Sequence, residues 1–352
     1  MPKLIYAESK TYNPYFNLGF EKYLFDRIND DEIIFYLWQN DKTVVCGRNQ
    51  NVYKECNLTT LKTANGHVAR RLSGGGAVFH DIGNLNFTFI CRKGSYNLQN
   101  QLEVIIRACK KFGINAEKTG RNDITCNGKK FSGNAFYKKN TTVNHHGTIM
   151  INVNFDCLSD FLNVDRSKLI SKGVSSVKSR VVNLSDLSES VTVDRMKTAL
   201  KTAFTEIYGD EFSESIILGS SYISGDTPEK QWYANDSSVL SMLKSISENK
   251  QLFSSDSWIY GKNNSFSNKI SDRFSWGGIE LLFNVKDGKI DDMDIFSDSL
   301  IPDFILSIKE LLPGTPYSAD ALCSVVNEAA IRCGEDSEIP CRDIQGLICK
   351  SI

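Results

Sequence analysis

Apolar residues recur at helical spacing over Leu18, Phe20, Tyr23, Leu24 and Ile28, which predicts a helix behind Pro14 with Asn17 as its N-cap. Residues 33–38 and 43–47 are β-branched and aromatic runs joined by polar residues 39–42, and they predict two strands. Residues 67–71 and 77–90 also read as extended. A helix is predicted from about Gln99 to Phe112, with Leu102, Ile105, Ile106, Cys109 and Phe112 on one face. Residues 171–184 lack such a period and read as an exposed loop. Met196, Ala199, Leu200, Ala203, Phe204 and Ile207 then mark a helix over 192–208, stopped by Gly209.

Residues 213–256 are polar and poorly periodic, which suggests a linker. Past Ser257 the pattern resumes. Strands over 279–285 and 290–296 flank Asp287-Gly288, a hairpin turn signal, and a helix opens at Ser318 and closes at Gly334. The fold class expected is α+β: mixed, largely antiparallel sheets flanked by helices in a large domain over 1–250, and a small α+β domain over 251–352.

The 352 residues include 41 basic and 42 acidic side chains, and 41% are hydrophobic, which is globular composition and excludes a disordered chain. No apolar run approaches a membrane span, and the first residues lack a secretory signal, so a soluble, cytoplasmic protein is expected. The near balance of charge hides an asymmetry. Residues 41–140 carry 17 basic against 6 acidic side chains, a net of +11, and residues 280–352 carry 6 against 14, a net of −8. The basic segment suits a polyanion such as a nucleotide, or an acidic tail of the same chain. None of the ten cysteines has the paired spacing of a zinc site. Adjacent His145 and His146 on a strand point to opposite faces and chelate poorly, so at most one reaches a site.

Candidate chemistry concentrates in two stretches. Arg70-Arg71-Leu72-Ser73-Gly74-Gly75-Gly76 has strand-like residues on both sides. Consecutive glycines let a ligand approach the amides, and two arginines add bidentate donors for phosphate or carboxylate; a plain hairpin loop is the alternative. No helix follows, so this is neither a Walker loop nor a dinucleotide fingerprint. In the second stretch Asn127-Gly128 predicts a two-residue turn that pairs Cys126 with Lys129, Thr125 with Lys130, Ile124 with Phe131 and Asp123 with Ser132. Ile124, Cys126 and Phe131 then share the apolar face, and Asp123, Thr125, Lys130 and Ser132 the other. Lys130 is a candidate site amine or an ordinary solvated lysine.

Several stretches together resemble the lipoate–protein ligase A family: residues 70–84, Gly120-Arg121-Asn122-Asp123, residues 129–135, His145-His146-Gly147-Thr148 and residues 172–184. Asn17-Leu18 with Glu21, Trp38, Gly47-Arg48 and Gln50-Asn51 fit the family's N-terminal pattern. Residues 273–281 are similar to its C-terminal accessory domain. The resemblance implies that lipoate and MgATP form lipoyl-adenylate and pyrophosphate. The acyl group then passes to a lysine of a lipoyl domain, in 2-oxoacid dehydrogenase complexes or in the glycine cleavage H protein, with no part for nucleic acid or membrane. It implies Lys130 as the catalytic lysine, contacting lipoate and nucleotide. Arg71, Gly76, Ala77, Val78 and Phe79 join Lys130 in binding ATP. Trp38, Arg71, Ser73, Gly75, His80, His146 and Gly147 are the candidates to join it in binding lipoate; the dithiolane tail is expected in an apolar groove near Trp38 and Val78, with Trp38 as plain core filler the alternative. Lys172, Gly173, Val174, Ser179 and Arg180 fall in an adenylate-covering loop; Asp123, diagonally near Lys130 on the predicted hairpin, is the candidate Mg2+ contact. Two alternatives stay open: a cysteine-dependent octanoyl or lipoyl transferase of the same fold, with Cys157 as nucleophile, and a non-catalytic protein that binds nucleic acid or a lipoyl domain.

Overall fold

A computed structural model describes residues 2–120, 122–163, 180–209, 211–219, 237–261 and 266–352. Contacts divide the chain into two compact units. The first comprises Met1–Val45, Cys56–Ala69 and Val78–Ile259; the second comprises Cys46–Glu55, Arg70–Ala77 and Tyr260–Ile352. Two short stretches from the first quarter of the chain therefore belong to the unit built by its last quarter.

The first unit contributes β1 (Lys3–Ser9), β2 (Glu32–Trp38), β3 (Thr43–Cys46), β4 (His67–Arg70), β5 (Val78–His80), β6 (Asn84–Arg92), β7 (Glu117–Thr119), β8 (Asp123–Cys126), β9 (Lys129–Lys139), β10 (Thr142–Met150) and β11 (Glu214–Leu218). Eight of them form a sheet in the order β11-β1-β2-β6-β10-β9-β8-β7, and β4-β3-β5 form a second, small one. In the eight-stranded sheet β1 pairs in parallel with β11 and β2, and every neighbour from β2 to β7 is antiparallel. The mixed, largely antiparallel sheet read from the sequence is the one that forms.

Side chains alternate across this sheet, and both faces are covered. Phe35, Leu37, Phe87, Phe89, Ile124 and Phe131 project into one core, which helices Leu98–Lys110 and Val193–Tyr208 close. Phe204 stacks on Phe35 there, centroids 5.0 Å apart; burying each such ring contributes about 2–3 kcal/mol. The opposite face takes helix Pro14–Arg27, with Phe20 edge-on to Tyr36 at 5.0 Å. Coverage on both sides explains why β2 is buried throughout instead of alternating.

Two expectations fail in this unit. Asn13, not Asn17, caps the first helix, its side chain accepting from the amide of Phe16 at 3.0 Å. Asn17 lies inside the helix and is fully buried, its amide donating to the carbonyls of Thr11 and Gln39 and to Asn40 Oδ1. The cap sits one turn earlier because Pro14 occupies the first helical position, where its missing N–H costs nothing. Residues 213–256 are also more than a linker. They supply β11 and helix Ser237–Ser254, which packs on helix Pro14–Arg27 at Gly19, where an added Cβ would lie 3.0 Å from the Lys250 amide nitrogen. The weak helical period of 237–254 follows from burying little more than Ile246 and Phe253.

The second unit carries a three-stranded antiparallel sheet of β12 (Asn268–Phe274), β13 (Gly277–Lys286) and β14 (Lys289–Ser297), with helices Pro302–Leu311, Ala319–Cys333 and Glu338–Ser351. Asp287 and Gly288 turn the β13–β14 hairpin with φ of 50° and 72°, as their sequence predicts. Phe283, Ile295, Phe304, Val326 and Ile344 form its core.

Candidate functional site

Cross-strand register assembles one face of the large sheet into a site. Trp38 pairs with Asn86, and Asn86 with Thr148. The Thr148 hydroxyl then accepts from the amide of Gly133 at 3.2 Å, and Gly133 pairs with Asp123. One row of positions thus crosses β2, β6, β10, β9 and β8 on the face opposite the phenylalanine core.

The β8–β9 hairpin departs from its predicted register in a way that matters. Asn127 and Gly128 make the expected turn, with φ of 50° and 73°, and Thr125 pairs with Lys130. A β-bulge follows. Ser132, not Phe131, opposes Ile124, and Gly133, not Ser132, opposes Asp123. Ser132 consequently leaves the Lys130 face, where it was expected, and is fully buried. Gly133 takes its place, and there an added Cβ would lie 2.8 Å from Lys130 Nζ. The absent side chain lets the lysine fold over the strand, and its ammonium meets Asp123 Oδ1 at 2.7 Å, both side chains partly exposed. Asn122 and Asn134 exchange amide-to-carbonyl hydrogen bonds just ahead of Asp123 and hold the hairpin's open end.

A buried polar network backs the other end of the row. The Trp38 indole donates to Thr88 Oγ1 at 3.1 Å; that hydroxyl donates to Glu21 Oε1 at 2.7 Å, and His146 Nδ1 lies 2.8 Å from the same oxygen. Burial raises the Glu21 carboxyl, but the charge and hydrogen bond of His146, with Thr88 and Asn144, outweigh it and hold the group below the ordinary carboxylate value. His80 stands edge-on to Trp38 at 6.1 Å and places Nδ1 3.2 Å from the Asn40 amide. The Trp38 ring is almost fully buried, stacked on Tyr36.

His145 and His146 do face opposite ways. His145 lies between Gln101 Oε1 at 2.9 Å and Asn134 Oδ1 at 2.8 Å, amid Phe87, Phe89 and Phe136. Burial, and then the neighbouring His146, lower its pKa to about 3, so it is a neutral core residue. Gly147 belongs to that face too: a Cβ there would meet the Phe87 ring at 2.5 Å.

The glycine loop is built within the second unit. Arg70 donates to the carbonyls of Gly47, Arg48 and Gln50 at 3.0, 2.9 and 2.8 Å. Arg71 donates through Nε to Ser73 Oγ at 3.0 Å, and through one terminal nitrogen to the carbonyls of Gly74 and Gly76 at 2.7 and 2.8 Å. Gly75 has φ of 89° and donates its amide to the Ser299 carbonyl at 2.8 Å. A Cβ on Gly74 would sit 2.1 Å from that same oxygen, so the chain passes where only glycine fits. In the first unit, Val78 pairs with Val45, and Phe79 packs edge-on against Phe161 at 5.3 Å.

Lys172, Gly173, Val174 and Ser179 lie outside the described residues. Arg180 is partly buried, and the chain beyond it joins the hairpin: Val181 bridges Lys130, and the Val182 amide donates to the Lys130 carbonyl at 3.0 Å. Cys157 has the wrong environment for a nucleophile. Burial and then the charges of Asp81, Asp160 and Asp156 raise its thiol pKa, the reverse of what an activated thiolate needs. Among the described residues no three His, Cys, Asp or Glu cluster as metal ligands, and no helix is long and apolar enough to cross a membrane.

Sequence reasoning did not assign Glu21, Thr88, Asn86 or Gly133 to the site. Glu21 stood in the family pattern without a role, and an acidic residue on the buried side of a helix was the signal that could have singled it out. Gly133 stood within the family-like residues 129–135 without a role, and Thr88 and Asn86 carry no local signal, because only sheet register brings them beside Trp38 and His146.

Residues 13–205 match the model of the lipoyl protein ligase A/B catalytic domain, and residues 263–348 match that of the bacterial lipoate protein ligase C-terminus. A lipoate-protein ligase A from Bdellovibrio bacteriovorus is 35% identical over 100% of this chain and 99% of its own length. Another from Blochmanniella floridana is 38% identical over 88% of each chain. The crystal structure of P. falciparum LipL1 in complex with lipoate aligns with a TM-score of 0.80 and 30% identity, covering 99% of both chains.

Proposed function

The chain belongs to the lipoate–protein ligase A family, and from that membership we infer how its residues perform an ATP-dependent ligation of lipoate. The lipoate carboxylate attacks the α-phosphorus of ATP, a mixed anhydride with AMP forms and pyrophosphate leaves. An acceptor lysine's amine then attacks the acyl carbonyl, and AMP leaves as the amide forms.

The first step brings a carboxylate and a phosphate together, so fixed positive charge must sit where their negative charges meet. Lys130 is the group for that place. The observation that carries this role is its ammonium, folded over Gly133 and held 2.7 Å from Asp123 on the face that Trp38, Asn86 and Thr148 share. A partly exposed ion pair is weak, so incoming carboxylate and phosphate oxygens can replace Asp123 as partners of the ammonium.

Strands lie about 4.8 Å apart, so the row from Trp38 to Gly133 spans roughly 14 Å, a length over which an extended acyl chain can lie. The reading sets the lipoate carboxylate at Lys130 and the dithiolane toward Trp38 and His80, with the Glu21, Thr88 and His146 network fixing the indole from behind. Val78 of the first unit belongs to the same apolar groove.

Arg71, with Gly76, Ala77, Val78 and Phe79, is the proposed nucleotide loop. Because Arg71 holds the Gly76 carbonyl, the planar peptide turns the Ala77 amide the opposite way, and this orientation suits a phosphate oxygen. Arg71 accordingly shapes the loop, as Ser73 and Gly75 do through their own hydrogen bonds. Mg2+ fits a site of one protein carboxylate plus substrate phosphates, with Asp123 as that carboxylate; when bound it neutralises phosphate charge. The segment with Lys172, Gly173, Val174, Ser179 and Arg180 is assigned to covering the adenylate. Its C-terminal attachment at Lys130 through Val181 and Val182 supports that role. Lipoyl domains of 2-oxoacid dehydrogenase complexes and the glycine cleavage H protein are the proposed acceptors, in a reducing, cytoplasmic setting that ten free thiols suit.

Lipoate-dependent exchange of labelled pyrophosphate into ATP tests the assignment. Wild type and Cys157→Ser should both catalyse it. Exchange that survives Lys130→Ala would remove the lysine from the reaction, and exchange lost with Cys157→Ser would favour thioester chemistry.

A further inference from the structure

Two thiols in the second unit face one another without any part in the ligation. Cys323, on helix Ala319–Cys333, and Cys349, on helix Glu338–Ser351, have their sulfur atoms 3.7 Å apart. Cys323 is held in place by Gln345, whose side chain donates to the Cys323 carbonyl at 3.0 Å and whose own carbonyl faces Cys323 Sγ at 3.7 Å. Gln345 and Cys349 are four residues apart on one helix, so Cys323 lies against a single turn of it. Cys341, on the same helix, shows what a packing thiol looks like: it is 5% exposed, with its sulfur against the Val326 carbonyl at 3.8 Å. Cys349 is instead exposed, and Cys323 partly so. Free cysteines usually hide as small apolar side chains, whereas an accessible thiol beside a second one is the arrangement of a redox pair.

We propose that Cys323 and Cys349 are a reversible oxidation site, joined into a disulfide by exchange with a low-molecular-weight disulfide. Cys349, exposed in the last turn of its helix, loses its proton and attacks one sulfur of the external disulfide. That S–S bond breaks and one thiol departs with a proton, leaving a mixed disulfide on Cys349. Cys323 then gives up its proton and attacks Cys349 Sγ, expelling the second thiol. Two protein thiols are oxidised to one disulfide, and the external disulfide is reduced to two thiols. Burial, with the hydrogen bond and charge of Cys349, pushes the Cys323 thiol up to about 11, so Cys349 begins the attack, and Cys323 completes it because its sulfur already lies beside Cys349. The sulfurs must close from 3.7 Å to about 2.0 Å, a movement the end of a terminal helical turn can supply. The bond would staple helix Ala319–Cys333 to helix Glu338–Ser351. The inference stands on the thiols alone and does not depend on the ligase reading.

The full-length protein is incubated with oxidised glutathione, quenched with an alkylating agent, and read by intact mass and peptide mapping. The expected result is the loss of two alkylatable thiols and a cross-linked peptide joining 323 to 349. Reduced glutathione should reverse it, and the oxidised form should show an upward shift in Tm. Cys323→Ser should accumulate a stable glutathionyl adduct on Cys349, and Cys349→Ser should give no cross-link and leave Cys323 alkylatable. A wild-type protein that keeps glutathione on Cys349 while Cys323 remains alkylatable would overturn the proposal. So would modification confined to Cys157 or Cys333. The wild-type arm needs no substitution and decides the matter even where a variant fails to fold.

Discussion

At the β8–β9 hairpin, Lys130 meets Asp123 at 2.7 Å and stays partly exposed, whereas Arg70 and Arg71 are buried and hold backbone carbonyls. The chemistry of the groups explains the division. An ammonium on a flexible stem exchanges partners readily, while a guanidinium is a rigid fork that serves several fixed acceptors at once. The hairpin therefore keeps its charge partly exposed in an exchangeable ion pair, and the arginine loop uses its charge to hold a glycine turn in shape. The adjacent histidines divide in the same manner, His146 beside a buried carboxylate and His145 neutral in an aromatic core.

The sharpest way to break this contrast is Lys130→Ala. Loss of one preorganised charge at the reacting phosphate should lower lipoate-dependent pyrophosphate exchange about 10²–10³-fold, with the thermal unfolding midpoint little changed. Arg70→Met should behave in the opposite sense. It removes the guanidinium that binds the carbonyls of Gly47, Arg48 and Gln50, so unfolding should be easier by about 3 kcal/mol in a denaturant titration, with activity per folded molecule better preserved.

The histidines predict a pH effect of intermediate size. His145 titrates near 6.5 when unfolded and near 3 when folded, so between those values the unfolded chain binds the extra proton. Stability should then fall as pH drops below 6.5, by about 2 kcal/mol between pH 6.5 and 5, and His145→Gln should flatten that slope in unfolding titrations. The smallest effect is expected from Gly133→Ala. Its Cβ would press on the Lys130 amine, so kcat/KM should fall about tenfold, an energetic cost near 1.4 kcal/mol, with little change in stability. A variant that lost stability and kept its kinetics would show Gly133 to be a packing glycine and not the floor beneath Lys130.

Much of this fold was legible because its signals are local. Gly209 ends helix Val193–Tyr208, and Ser318 and Gly334 delimit helix Ala319–Cys333, where the sequence placed those ends; Thr192, read as the first helical residue, is the N-cap. The Asn127-Gly128 and Asp287-Gly288 turns formed as written. Asn17 misled because a buried asparagine that bonds three distant oxygens looks, in sequence, like a helix cap. Residues 213–256 misled because β11 pairs at a sheet edge and helix Ser237–Ser254 buries only a narrow strip, so neither leaves a strong apolar rhythm.

The amino-acid sequence by itself determined the alternation that turns Lys130, Thr125 and Asp123 to one side of the hairpin, the turn that brings the two strands together, and the glycines that let a chain pass where no Cβ fits. These follow from period-two geometry and backbone sterics over a few residues. Only the tertiary structure decided that a bulge would send Ser132 away and set Gly133 under the amine, that Trp38 and Asp123 would end one row across five strands, and that Glu21 would join Thr88 and His146. Those outcomes depend on register between strands far apart in the chain, which is fixed by how two faces of a sheet are buried at once and not by any local run of residues.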